Sequence, residues 1–114
     1  MAVLTRANTE IRLSKNQSPM KEISSWQKAI KQLMINIRTR DSYEIEEARI
    51  TLKSAQNEIT IYEEKLLEGS KLSKQKISLF RISESVRRLC AYARDFGEVL
   101  LNLKMYDEMI IDKK

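Results

Sequence analysis

Apolar residues recur along most of this chain at alternating steps of three and four, the spacing of a helix with one buried side. The longest run is Leu79, Ile82, Val86, Leu89, Ala93, Phe96, Leu100 and Leu103. Beside it lies a column of small residues, Ser83, Cys90 and Gly97, one per heptad. Small side chains let another backbone come close, so this column is the expected dimer side. The opposite face carries Glu84, Arg87, Arg88, Ala91, Arg94, Asp95 and Glu98.

Two earlier stretches keep the same rhythm. Ile23, Trp26, Ile30, Leu33 and Ile37, widened by Met34, predict a helix over 19–39. Ser18 is its expected N-cap, with Pro19 at the first helical position, where a missing N–H costs nothing. Trp26 reads as a core anchor near one end of the bundle, with a binding role as the less favoured alternative. Ile45, Ala48, Leu52, Ala55, Ile59, Tyr62 and Leu66 predict a helix over 42–68. Asp41 and Glu44 form its expected capping box, and Gly69 its stop. The short junction at residues 40–41 makes the first two helices antiparallel neighbours. A third helix, capped by Ser70 or Ser73, is expected over about 71–108, roughly 50 Å long at 1.5 Å per residue. Gly97 inside it costs about 1 kcal/mol relative to alanine, so something must need the space.

The fold class that follows is all-α: an antiparallel up-down-up three-helix bundle. Residues 1–18 form an N-terminal extension and 19–114 the bundle domain. In the extension, Val3, Ala7 and Ile11 are four apart and favour a short helix over about 2–12, although Ile11 and Leu13 alternate as in a strand. With 114 residues, two glycines and one proline, the chain has room for one modest core and too few turn residues for an all-β fold.

Composition removes much chemistry. No histidine is present, which takes away the commonest general base, the usual triads and the common zinc sites. No glycine-rich phosphate loop occurs. The reading is therefore non-enzymatic, with no cofactor; carboxylate-only metal sites stay open at this point, because oxygen donors suffice for hard cations. The single cysteine, Cys90, excludes an intrachain disulfide and reads as a small packed residue rather than a reactive thiol. No run of apolar residues is long enough to span a membrane. The apolar start, Met1 to Leu4, is too short for a secretory leader, and the expected location is cytoplasmic.

The net charge of +5 is uneven. Residues 41–69 carry eight acidic and three basic side chains, whereas 19–40 carry five basic and one acidic and 70–114 ten basic and six acidic. An acidic helix between two basic ones predicts pairing within the bundle. On the third helix, Glu84–Arg88 and Arg94–Glu98 stand four apart and can pair, so that face also reads simply as a solvated surface.

The run Ser85-Val86-Arg87-Arg88-Leu89-Cys90-Ala91-Tyr92-Ala93-Arg94-Asp95-Phe96-Gly97-Glu98 resembles the signature helix of PhoU-type phosphate-uptake regulators, nearest to the archaeal PhoU-like branch. Ala29-Ile30-Lys31-Gln32-Leu33 leading to Asp41, and Asn57-Glu58-Ile59 on the second helix, agree with one three-helix repeat of that family over about residues 20–105. The resemblance implies a cytoplasmic regulatory adaptor in phosphate homeostasis. Its partners would be a phosphate transporter and a signalling component. The family's metal-binding Glu-x-x-x-Asp falls on Arg87 and Ala91, neither of which holds a metal. Asp95 stands where the family usually has Asn, and the closing Glu is kept as Glu98. The metal cluster is therefore expected to be absent.

The leading expectation is a PhoU-like adaptor acting as a homodimer, which would rebuild the family's two-repeat body. Its candidate interaction face is Glu84, Arg87, Arg88, Arg94, Asp95 and Glu98; its candidate dimer side is Ser83, Cys90 and Gly97. The alternatives are a nucleic-acid-binding helical protein using Arg87, Arg88 and Arg94 with Lys71, Lys74, Lys76 and Arg81, or a structural subunit of a larger assembly.

Overall fold

The computed structural model describes residues 2–6, 9–13, 16–68 and 73–112, of which the strands and residues 111–112 are described by backbone alone. Three helices form an antiparallel up-down-up bundle: α1 (Met20–Thr39), α2 (Ser42–Leu67) and α3 (Lys74–Asp112). The molecule measures 64 × 25 × 22 Å; α3, 39 residues long, sets its long axis.

The extension is not a helix. Ala2–Arg6 (β1) and Thr9–Leu13 (β2) pair antiparallel, with Ala2 opposite Leu13 and Arg6 opposite Thr9. The alternation at Ile11 and Leu13, with β-branched residues at 3, 5, 9 and 11, outweighs the fourfold spacing at Val3, Ala7 and Ile11. A lone two-stranded hairpin is marginal in water; here β2 lies against α3.

Ser18 does not cap α1. Pro19 occupies the cap position without any side-chain bond, and backbone bonds from Lys21 N–H to the Gln17 carbonyl (2.9 Å) and from Ile23 N–H to the Pro19 carbonyl (3.1 Å) close the first turn. Ser73 is the cap at the start of α3, its Oγ accepting from Lys76 N–H (3.1 Å). Ser70 and the expected stop Gly69 lie outside the described residues.

The α1–α2 junction turns on one buried side chain. Arg40 adopts the left-handed conformation (φ 47°, ψ 45°), unfavourable for a residue with a Cβ. Its N–H donates to the Asn36 carbonyl (3.0 Å). The Asn36 side chain, fully buried, donates from Nδ2 to the Gln32 carbonyl (2.9 Å). Its Oδ1 accepts from Thr39 Oγ1 (2.7 Å) and from Asp41 N–H (2.9 Å). Asp41 Oδ1 caps α2 by accepting from Tyr43 and Glu44 N–H (2.9 and 3.2 Å). Only half of the expected capping box forms: Asn36 has already taken the Asp41 N–H, and Glu44 approaches Asn36 Nδ2 at 3.5 Å instead.

The core is Ala29 and Leu33 of α1, Ile45, Ala48, Leu52, Ala55 and Ile59 of α2, and Val86, Cys90, Ala93 and Leu100 of α3. The α2 stripe sits as its spacing predicts. On α1 the stripe is rolled by one position: Glu22, Ala29, Leu33 and Asn36 are buried, whereas Met34 and Ile37 are exposed. α3 runs on to Asp112, past the expected end near 108, and Met109 and Ile110 remain exposed there. The acidic second helix pairs inside the bundle as its charge predicts, Lys21 with Glu58 (3.5 Å) and Arg87 with Glu63 (3.0 Å).

Replacing Asn36 by Leu strands the Asp41 N–H and opens the left-handed turn. Urea unfolding of Asn36→Leu should show a loss of about 1–3 kcal/mol, the cost of an orphaned buried donor. An unchanged midpoint would mean that the turn does not depend on this side chain.

Candidate interaction site

The apolar positions of α3 form two adjacent seams rather than one. The inner seam, Ser83, Val86, Cys90, Ala93, Gly97 and Leu100, is buried against α1 and α2. All three small residues of the expected dimer side therefore lie inside the protomer, which is the correction the structure makes to that reading. They are small because the neighbouring helices come close. A Cβ on Gly97 would meet Arg49 Cγ at 2.8 Å, Arg49 Cδ at 3.0 Å and Leu33 Cδ2 at 3.3 Å. Ser83 satisfies its hydroxyl within the helix, donating to the Leu79 carbonyl (2.8 Å).

The outer seam is Ile82, Ser85, Leu89, Tyr92, Phe96, Val99, Leu103, Tyr106 and Ile110, again in steps of three and four. It is largely uncovered: Leu89 is 42% exposed, Tyr92 66%, Val99 51% and Tyr106 59%. The run Leu79 to Leu103 read from the sequence takes members from both seams. α1 borders the outer one, and Ile23 and Trp26 line an apolar cleft with Ile82, Ser85, Val86 and Leu89. Trp26 thus packs on the core and also walls this cleft. Met34 and Ile37 extend the uncovered apolar surface of α1.

The six charged residues of the expected interaction face do not form a single face. Arg87 and Arg94 turn toward α2, where Arg87 Nε donates to Glu63 Oε1 (3.0 Å) and Arg94 Nη1 to Gln56 Oε1 (2.8 Å). Arg94 is therefore not paired with Glu98. Glu84, Arg88, Asp95 and Glu98 point away from the core, and Glu84 pairs with Arg88 at 2.8 Å as their spacing predicts. The nucleic-acid reading loses two cations to α2, and Lys71 lies outside the described residues. Lys74, Lys76, Arg81 and Arg88 remain, with Lys76 and Arg81 beside an apolar cleft of Leu66, Leu67, Ile77 and Phe80.

Like Asn36, Glu22 escaped the sequence reading. Glu22 is fully buried, and neither carboxylate oxygen has a hydrogen-bond partner. Burial pushes its pKa up; Glu58 adds to this, and Ser18 and Lys21 offset only part of it. Glu22 is felt by its neighbours: burial first, then the charge of Glu22, raises Tyr62 and holds the Cys90 thiol up at about 11. Cys90 is thus a protonated, packed thiol. The only sequence signal for Glu22 was its place one residue before Ile23, on the edge of the α1 stripe. Among the described residues no cluster of three or more His, Cys, Asp or Glu could hold a metal, and no helix is long and apolar enough to cross a membrane.

No family model, curated protein or solved structure matches this chain.

Glu22 makes stability pH-dependent in a definite direction. Its pKa in the fold lies above the ordinary 4.5, so the folded state keeps a proton that the unfolded chain has lost. The contribution is complete below about pH 4.5 and is lost as the pH rises through the folded value. Glu22→Met should therefore raise stability at pH 8 by about 1–3 kcal/mol and flatten its decline between pH 5 and 8, read by urea unfolding at each pH. Separately, native Cys90 should resist alkylation by iodoacetamide at pH 8 and react once the chain is unfolded in urea.

Proposed function

We propose that this protein is a non-enzymatic regulatory adaptor of the PhoU-like kind, working in the cytoplasm through helix-to-helix contacts as a homodimer. The observation that carries the adaptor part is the outer seam of α3. A long apolar stripe lies open on a bundle whose own core is already closed by the inner seam. A free-standing helical protein has no physical reason to keep such a stripe uncovered.

The phosphate part rests on the likeness of Ser85–Glu98 and on the three-helix plan of the chain. A transporter or signalling component would meet Glu84, Arg88, Asp95 and Glu98, the charged residues left outside the bundle. The family's metal chemistry has no counterpart in this proposal, since Arg87 stands in the ligand position and is engaged with Glu63.

Deleting the gene in its own organism and measuring phosphate uptake in phosphate-replete medium tests the reading. Uptake should rise several-fold when the regulator is lost. Unchanged uptake would remove phosphate regulation.

A further inference from the structure

We propose that the open α1–α3 face is the docking site of a second copy of this chain, with the two α3 helices antiparallel along their outer seams. This deepens the homodimer reading above by naming the face and the orientation of the pair, and it stands or falls independently of phosphate.

Three observations choose that occupant. The first is reach. The seam runs from Ile82 to Ile110, about 42 Å at 1.5 Å per residue. A partner helix must lie along most of it, and among the described helices only α3 exceeds that length. The second is area. Lying alongside over residues 74–107, two α3 helices share about 50 Å of length at 1.5 Å per residue, enough for the interface that a stable pair of proteins typically buries.

The third observation is charge. Among its described side chains, the amino-terminal half of α3 presents Lys74, Arg81 and Arg88 outward against one acid, Glu84, and the carboxyl-terminal half Asp95, Glu98 and Glu108. Its first turn has no acidic residue and its last turn no basic one. This order opposes the helix's own dipole, which favours acids at the start and bases at the end. It therefore does nothing for α3 alone. It does suit an antiparallel copy, in which each basic half faces an acidic half. A parallel copy would set like charges side by side.

Heptad geometry together with the pairing of Arg88 and Asp95 sets a register. Leu89 meets Tyr92 of the partner subunit, Ile82 meets Val99 of the partner subunit, and Arg88 flanks the seam opposite Asp95 of the partner subunit. Residues 74–107 of each α3 lie alongside the other; the two seams face each other from Ile82 to Val99, and Leu103 and Tyr106 run on over the polar start of the partner's helix. The partner helix settles into the groove walled by Trp26, so α1 contributes to the same surface. The Glu84–Arg88 pair within α3 is exposed and weak, and does not prevent Arg88 from turning to a second acid.

Light scattering of the full chain over a range of concentrations is the test. The mass should be twice the 13.4 kDa of the chain. Val99→Glu should give a monomer with unchanged helical circular dichroism, because Val99 lies outside the protomer core. Arg88→Asp and Asp95→Arg should each weaken the dimer about tenfold, and the double exchange should restore it to within about threefold. A wild-type chain that stays monomeric at high concentration overturns the proposal. So does a dimer that survives Val99→Glu, since another face must then hold it. A dimer broken by Val99→Glu but without rescue in the double exchange overturns the antiparallel register.

Discussion

The close approach of α3 to the other two helices is the constraint on which the rest of the bundle depends. Along the inner seam, a small residue once per heptad lets Leu33 and the stem of Arg49 reach the α3 backbone at Gly97. Because the helices are that near, Arg87 and Arg94 can span to Glu63 and Gln56 of α2. Gly97 forgoes about 1 kcal/mol of helix propensity, and the proximity it permits is what that loss sustains.

The same tight interface sets the roll of α1. With Ala29 against the core and Leu33 beneath Gly97, the helix turns Glu22 and Asn36 inward and leaves Met34 and Ile37 outside. The two buried polar groups have opposite fates. Asn36 finds partners for both ends of its amide and makes the left-handed turn at Arg40 tenable. Glu22 finds none for its oxygens, and burial drives its proton affinity up together with that of Tyr62 and Cys90. One organises the junction at one end of α1; the other leaves a pH-sensitive weakness at the opposite end.

A core closed on one side of α3 leaves an apolar strip on the next side, and the two cannot be served by the same neighbours. That division separates the residues that fold the protomer from those it leaves uncovered. Val86, Ala93 and Leu100 hold the protomer together, whereas Tyr92, Val99 and Tyr106 contribute little to it and stay available. The outward charges of α3, ordered against its dipole, belong with the second group.

Much of this was legible in the residues. The three helices, the α2 stripe from Ile45 to Ile59 and the Asp41 cap follow from local period and local hydrogen bonding, which act within a few residues and need no partner. The acidic α2 between basic neighbours announced its pairing with Lys21 and Arg87. What only the tertiary structure decided was rotation and choice. A helix advances 100° per residue, so stripes one position apart on α1, or two neighbouring seams on α3, look alike in sequence. Selecting between them takes the volumes and polar groups of the facing helices: Arg49 over Gly97, Glu63 awaiting Arg87, Asn36 at the turn. The strand pair at residues 2–6 and 9–13 was misread as a helix for the same reason. Its weak local preferences gain a ladder only once the two strands pair and α3 lies beneath β2.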